Sequence, residues 1–475
     1  MKTVFVSGHF NILHPGHLRL LRFAKECGDK LIVGVESDLI AGNAAHISEN
    51  LRLEGLQSLN WIDEVFIMED EVTETVKRIK PDIVVKGKEH EIQYNPEQNI
   101  IEKYGGQLIF SSGEKLFSSV DLIRKEFFST SLETITYPDK YFERHTINKS
   151  NLLNVLKKFS NLKICVIGDI IVDEYITCQP LGMSQEDPTI VVSPIDSTKF
   201  LGGAGIVAAH AAGLGAEVNF ISVTGDDSSR NFALEKLNEA GVISHLLQDN
   251  TRPTTLKQRF RSKGKSLLRV SYLHQDEISQ TLQKLILDKV DKIITNINLF
   301  VFSDFNYGCL PQSLVEKIIS KLKENNILMV ADSQSSSQVG DISRFFDMDL
   351  ITPTEHEARI STRNQEAGLV VLADKLKKTS RAKNILLKMG EEGLLVHADD
   401  RENPNWFTDR VDALNTSPKD VAGAGDSLLI TAAMTLACGG DIWEAAGLGS
   451  IAAAVQVGRV GNTPLRLSEL IKEIT

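Results

Sequence analysis

The sequence predicts an α/β protein of two or three domains. Over residues 3–110, short apolar strands alternate with helices, the rhythm of a parallel, doubly wound sheet that binds ligands at the carboxyl ends of its strands. A chain of 475 residues is too long for one ordinary core. Near the other end, Asp420-Val421-Ala422-Gly423-Ala424-Gly425-Asp426-Ser427 precedes a small-residue apolar run, Leu428 to Ala437, that reads as a helix. Hydrophobic content of 42% and charged content of 24% are globular values.

The first domain follows strand by strand. Thr3–Ser7 is a short apolar strand closed by Gly8, with a helix from about Leu18 to Cys27 and a second buried strand at Leu31–Val35. Helices are expected near Leu51–Leu59, Val72–Ile79 and Glu97–Tyr104, and strands at Glu64–Ile67, Ile83–Val85 and Gln107–Phe110. A stretch at 131–150, with Pro138, mixed charges and no clear period, is expected to connect the domains. It is not Gly/Ser-rich, so it can pack against one of them. Leu162–Ile167 opens the second domain as a strand.

The bulk numbers exclude some classes. A net charge of −11 and a pI near 5.6, with no long basic run, argue against a nucleic-acid partner. The cysteines at 27, 165, 178, 309 and 438 are scattered without a C-x-x-C, as in a reduced, cytoplasmic protein. Met1 leads straight into a strand, and no apolar run is long enough to span a bilayer, so neither a leader nor a membrane partner is expected.

Two stretches carry phosphate chemistry. In the first domain, His14 and His17 lie three apart across Pro15-Gly16 at a strand-to-helix turn. That spacing puts both imidazoles on one side of a helix start, where they could donate hydrogen bonds as charge builds on the α-phosphate of a nucleoside triphosphate. Taken alone, the pair reads equally as metal ligands or capping residues. In the second domain, Gly423 and Gly425 leave backbone amides bare beside a helix start, an anion site suited to a phosphoryl group in flight. Asp426 is placed to accept a proton from an attacking hydroxyl. A lone G-x-G-D is otherwise a glycine turn capped by Asp.

Longer motifs decide between these readings. Gly8 to His17, with Phe10, resembles the G-x-F-D-x-x-H-x-G-H signature of the cytidylyltransferase-like nucleotidyltransferases. The similarity continues through Gly28–Asp38, Arg52, Trp61–Val65, Lys86-Gly87-Lys88-Glu89 and Phe117-Ser118-Ser119. It implies a Rossmann-like nucleotidyltransferase domain at 1–130, with His14 and His17 catalytic and Gly8, Phe10, Arg52, Lys86, Ser118 and Ser119 on the nucleotide. Asn11 stands for the family Asp, and the cation usual after Ser37-Asp38 is absent, which bears on which nucleotide is used.

Residues 151–475 resemble the ribokinase/PfkB sugar kinases, in particular the kinase part of the bifunctional HldE-type heptose enzymes. The residues that carry this are Gly168–Asp173, Met183–Pro188, Gly202-Gly203-Ala204, Ser303–Gly308, Asp332-Ser333-Gln334, Pro353–Glu357, Lys388–Gly393 and the Gly423–Asp426 turn. The resemblance implies a ribokinase-like α/β domain. Asp426 would be its base, and Gly423, Ala424, Gly425 and Gly390 would lie on the nucleotide. Asp173, Gly202, Gly203, Lys257, Arg269 and Asp304 would lie on the substrate, with Arg259 beside them, and Glu357 would organise Mg2+. Asp173 is otherwise a surface carboxylate at a strand end, and Gly202-Gly203 a tight packing point. Ala422, Ile206, Thr354, Lys388 and Met389 depart from the family pattern, and Tyr307 and Gln334 stand where it has Lys. Those last two changes predict a pocket with less positive charge, for a substrate with less phosphate than heptose 7-phosphate.

Together the two resemblances imply one sequence of reactions. A sugar or sugar phosphate is phosphorylated at C1 by ATP, and the sugar 1-phosphate is then joined to a nucleotide from ATP or CTP with release of pyrophosphate. Mg2+ serves both steps, and the implied product is ADP-heptose-like. HldE-type enzymes carry the kinase first; here the order is reversed. Ribokinase-like domains pair, so a homodimer is expected. A single-activity enzyme with one silent domain, or a nucleotide-binding regulator, are the other readings.

Overall fold

The computed structural model describes residues 2–11, 13, 15–42, 45, 47–87, 90, 95–111, 135–187, 189–262, 265–335, 340–398 and 407–475. The chain divides into two compact units, Met1–Leu132 with Glu366–Leu372 grouped to it, and the remainder from Glu133 to Thr475.

The first unit runs β1 (Thr3–Gly8), α1 (Pro15–Glu26), β2 (Lys30–Glu36), α2 (Asp38–Ala41), α3 (Glu49–Gln57), β3 (Glu64–Met68), α4 (Val72–Ile79), β4 (Ile83–Gly87), α5 (Gln98–Glu102) and β5 (Gln107–Ser111). The sheet order is β3-β2-β1-β4-β5, parallel throughout. The central strands are nearly continuous Val, Ile, Leu and Phe because both faces are covered. Strand order reverses between β1 and β4, so the crevice at their carboxyl ends falls at Gly8 and Gly87.

The second unit opens with α6 (Asp139–Arg144) and α7 (Lys149–Lys157). Of the stretch expected to connect the domains, residues 135–150 form part of this unit. Ile135 bridges Asn415, Phe142 is buried, and the Tyr141 hydroxyl donates to the Trp443 carbonyl at 3.0 Å.

There follow β6 (Lys163–Gly168), β7 (Ile170–Met183), β8 (Ile190–Gly203), α8 (Ala204–Gly213), β9 (Glu217–Thr224), α9 (Ser228–Glu239), β10 (Ile243–Gln248), β11 (Thr255–Ser262), β12 (Lys265–Tyr272), α10 (Gln280–Ile293), β13 (Leu299–Asp304), α11 (Gln312–Glu324) and β14 (Leu328–Ser333). The unit ends with β15 (Leu350–Ile351), α12 (Glu355–Thr362), α13 (Leu369–Ser380), β16 (Asn384–Lys388), β17 (Leu394–His397), β18 (Thr408–Val411), α14 (Ala424–Ala437), α15 (Ile442–Val457) and α16 (Leu467–Ile474).

A nine-stranded sheet has the order β10-β9-β6-β13-β14-β15-β16-β17-β18, parallel up to β16 and antiparallel at its last two pairs. A separate four-stranded sheet, β12-β11-β7-β8, carries polar residues of the site. Helices α8, α14 and α15 are rich in Ala and Gly, which lets them pack closely, and they are buried over most of their length. Among the described residues no helix is long and apolar enough to cross a membrane.

Candidate active site

In the second unit, strand ends and one helix start converge on Asp426. Gly423 is the N-cap of α14, with φ +77°, a left-handed conformation that suits glycine, and no side chain caps the helix. A Cβ at 423 would lie 2.3 Å from Asn462 Oδ1, so the turn has no room for a side chain. The sequence-predicted Gly423, Ala424 and Gly425 therefore form a helix start without a side-chain cap, the Ala424 amide donating to the Val421 carbonyl at 3.4 Å, with Asp426 in its first turn.

Asp426 is buried, and its Oδ1 accepts a hydrogen bond from Gln334 Nε2 at 3.1 Å. Burial, then the nearby Asp332 and Asp173 carboxylates, push its pKa up to about 7, against the pull of Lys388 and Lys257. A carboxylate poised there can take a proton at neutral pH.

Asp332, at the end of β14, accepts from Thr352 Oγ1 at 3.0 Å and from Lys388 Nζ at 2.9 and 3.1 Å. Lys388 ends β16. Burial works against its ammonium, but Asp332, then Glu357, and Asp426 hold its pKa above the usual lysine value. Lys388 thus places a cation at this end of the site although Gln334 stands where the family has Lys.

The sugar-side residues sit on the four-stranded sheet. Asp173 on β7 is paired in register with Lys257 on β11. Its carboxylate is buried, and its Oδ1 forms a long ion pair with the Arg259 guanidinium at 3.6 Å but accepts no hydrogen bond. Burial pushes its pKa up, against Arg259 and Lys257. A buried oxygen that accepts no hydrogen bond is one a substrate hydroxyl could satisfy. Gly202 makes that position possible, since a Cβ there would lie 2.3 Å from Asp173 Oδ2. Gly203, with φ +58°, caps α8 beside it. Lys257 Nζ lies over the rings of Phe305 and Tyr307, so Tyr307 faces this cluster in place of the expected Lys.

Other predicted residues are placed differently. Asp304 is buried, and its carboxylate accepts from Arg344, Ser333 Oγ and the Asn306 amide. Arg269 is exposed on β12, opposite Arg259. Gly390 lies in a short 3-10 turn with φ +62° and open space where a Cβ would be.

Glu357 is buried, and its two oxygens accept the Ser335 and Thr354 amides at 3.0 and 2.7 Å. Among the described residues no group of three or more His, Cys, Asp or Glu is arranged to hold a metal ion. With Glu357 already accepting two amides, this donor set fits Mg2+ held through water and by phosphates better than a direct protein cage.

In the first unit, Phe10 is buried with φ +49°, and its ring meets that of His17 edge-on at 5.2 Å, just beyond the end of β1. Gly8 closes β1 against the Phe10 ring. His14, Ser118 and Ser119 lie outside the described residues. Arg52 is buried and donates to the Ile47 and His9 carbonyls and to Asp38, at 2.8, 2.7 and 2.6 Å. Lys86, at the carboxyl end of β4, bonds Asn95 at 2.9 Å and pairs with the buried Glu97.

Sequence reasoning passed over Asp420 and Asn462, and weighed Lys388 only as a departure. Asp420 ties the glycine turn to the four-stranded sheet through the Tyr175 hydroxyl at 2.9 Å. Asp420 opens the motif itself and could have been found from it. Asn462, 39 residues after Gly423, could not.

Residues 5–132 match the family model for cytidylyltransferase-like domains. The bifunctional protein HldE of a Nitratiruptor species is 30% identical over 312 residues, 65% of this chain and 64% of that protein. The chain thus spans just under two thirds of the length of the curated relatives it matches. Among solved structures, a ribokinase from Thermotoga maritima superposes with a TM-score of 0.53 at 20% identity, covering 66% of this chain and 99% of that one. Phosphofructokinase-2 from Escherichia coli gives 0.55 at 15% identity, covering 66% and 98%. At those identities the likeness is one of fold. The family model for pfkB carbohydrate kinases matches residues 161–467, well over half of the chain, and by that match the chain belongs to the pfkB carbohydrate kinase family.

Proposed function

We propose that the protein is a bifunctional enzyme of nucleotide-activated sugar synthesis. Its second unit phosphorylates a sugar or sugar phosphate at C1 with ATP, and its first unit transfers a nucleotidyl group from ATP or CTP to the resulting sugar 1-phosphate. The observation that carries the reading is Asp426, a buried carboxylate with its pKa near 7 in the first turn of an uncapped helix that starts at bare glycines.

The kinase step follows from the placement of groups. Asp173, whose Oδ1 accepts no hydrogen bond from the protein, orients an acceptor hydroxyl, with Lys257 and Arg259 alongside. Asp426 takes the proton of the attacking hydroxyl, and the hydroxyl oxygen bonds the γ-phosphorus as the bond to the bridging oxygen breaks toward ADP. The amides of Gly423, Ala424 and Gly425 stabilise the charge in flight. Glu357 would hold Mg2+ through water, and the ion would supply screening of the phosphate charge. In the first unit, His17 with His14 stabilises charge at the α-phosphate while pyrophosphate leaves.

An ADP-heptose-like product rests on the likeness to proteins named HldE. We place the activity in the cytoplasm. A homodimer is supported by exposed apolar side chains on the four-stranded sheet, among them Leu181, Met183, Ile190 and Leu268.

Phosphorus NMR of the full chain with Mg2+, ATP and a panel of heptoses, hexoses and their terminal phosphates tests the kinase step. A new sugar 1-phosphate signal supports it. Silence across the panel, with ATP bound, contradicts it.

A further inference from the structure

We propose that Lys388 is a catalytic residue of the kinase site, the cation that contacts the γ-phosphate of ATP beside Gly425; the assignment rests on the kinase reading above.

Three observations carry it. The first is position. A Cβ built on Gly425 would lie 3.2 Å from Lys388 Nζ and 3.6 and 3.8 Å from its Cδ and Cε. The end of the lysine therefore lies against a residue of the turn that offers it no side chain. Gly425 lies in the first turn of α14 and outside the left-handed region, so here glycine provides room and not a special dihedral.

The second is hydrogen bonding. Among the described residues Lys388 Nζ donates to the two oxygens of Asp332 and to no other acceptor. An ammonium has three N–H bonds, so one remains for a ligand oxygen.

The third is charge. Asp332, Glu357 and Asp426 all act on Lys388, and one cation among three carboxylates leaves this end of the site without surplus positive charge, so an incoming phosphate needs this ammonium as a direct contact. An ion pair made only to neutralise Asp332 would need no place beside a phosphate-binding turn. The sequence agrees, because the two positions where the family has Lys carry Tyr307 and Gln334, and Gln334 reaches both Asp332 and Asp426. The positive charge has moved from the residue after β14 to the end of β16.

In the reaction the acceptor oxygen forms the new bond to the γ-phosphorus, and its proton passes to Asp426. The bond from the γ-phosphorus to the bridging oxygen breaks, and its electron pair leaves with ADP. Lys388 stays protonated and compensates charge on the transferring group.

The test is nucleotide discrimination, which needs no known sugar. Calorimetry would compare Mg·ADP with a non-hydrolysable Mg·ATP analogue on full-length wild type, Lys388→Met and Lys388→Arg. The first unit contributes the same isotherm to all three proteins, so differences read the second. Lys388→Met is expected to bind ADP within about twofold of wild type while losing tenfold or more of its affinity for the analogue. Turnover on any accepted sugar should fall about 10²–10³-fold, and Lys388→Arg should recover part of both.

Because Lys388→Met strands Asp332, the double variant Asp332→Asn/Lys388→Met, which removes both charges, runs beside it. Equal loss of ADP and analogue affinity in the double variant, or unchanged discrimination in it, overturns the assignment. If wild type discriminates the nucleotides through Lys388 but phosphorylates no sugar, the kinase reading fails and the phosphate contact stands.

Discussion

Asp426→Asn should inactivate the kinase and at the same time stabilise the second unit. Folded Asp426 keeps its proton to about pH 7, whereas an unfolded Asp loses it near 3.8. Between those values the folded state binds more protons, so this group's contribution to stability is full below 3.8 and is lost as pH rises through 7. Each pH unit in that window is worth about 1.4 kcal/mol, so relative to acid pH this titration costs the fold on the order of 4 kcal/mol at pH 8 and on the order of 2 kcal/mol at pH 5. Asparagine keeps an oxygen for Gln334 Nε2 but carries no charge beside Asp332 and Asp173. Native-state hydrogen exchange of peptides from α14 reads the difference within this unit. The variant's advantage at pH 8 should shrink on going to pH 5, while turnover falls about 10²–10⁴-fold at both. Parallel pH dependence in the two proteins, or a variant that still turns over, would refute the reasoning.

Other consequences follow from the same geometry. Gly202→Ala puts a methyl group 2.3 Å from Asp173 Oδ2; the acceptor KM should rise about tenfold or more, with nucleotide affinity unchanged by calorimetry. Arg52→Ala removes three hydrogen bonds that pin the loop after β2. It should cost the first unit about 2–4 kcal/mol, seen as faster amide exchange over residues 38–52 with α14 unaffected. Asp409 is buried against Arg144 and His145; burial opposes its charge, but His145 and Arg144 hold its pKa below the usual carboxylate value. Its stabilisation is present above the unfolded pKa and lost as pH falls, so wild type should lose more stability than Asp409→Asn between pH 5 and pH 3 in urea titrations.

The first unit's sheet was legible because each buried parallel strand is a continuous apolar run between amphipathic helices, as at Leu31–Val35 and Ile83–Val85. The second unit was less so. Strands β7 and β8 run 14 residues each with mixed polar surface and Pro180 or Pro194 inside, and β15 is two residues long. None of these shows a period. The glycine turn and Asp426 were legible because adjacent glycines before an apolar helix have a backbone cause. Lys388 was not, because a lysine at the end of an apolar strand reads as solvated surface. Only the sheet order, which sets β16 two strands from β14, brings it to Asp332. Arg52 and Lys86 show the reverse: basic residues at motif positions that bond the protein's own carbonyls, carboxylates and amide oxygen.

The most direct test of two coupled phosphate chemistries is mass spectrometry of products from full-length wild type, Asp426→Asn and His17→Ala. Each would receive Mg2+, ATP, CTP and the sugar panel, with and without sugar 1-phosphates. The account predicts nucleotide sugar from wild type, none from Asp426→Asn until a sugar 1-phosphate is supplied, and accumulated sugar 1-phosphate with His17→Ala. Nucleotide sugar from Asp426→Asn on free sugars, or none from wild type even with sugar 1-phosphates, would contradict it.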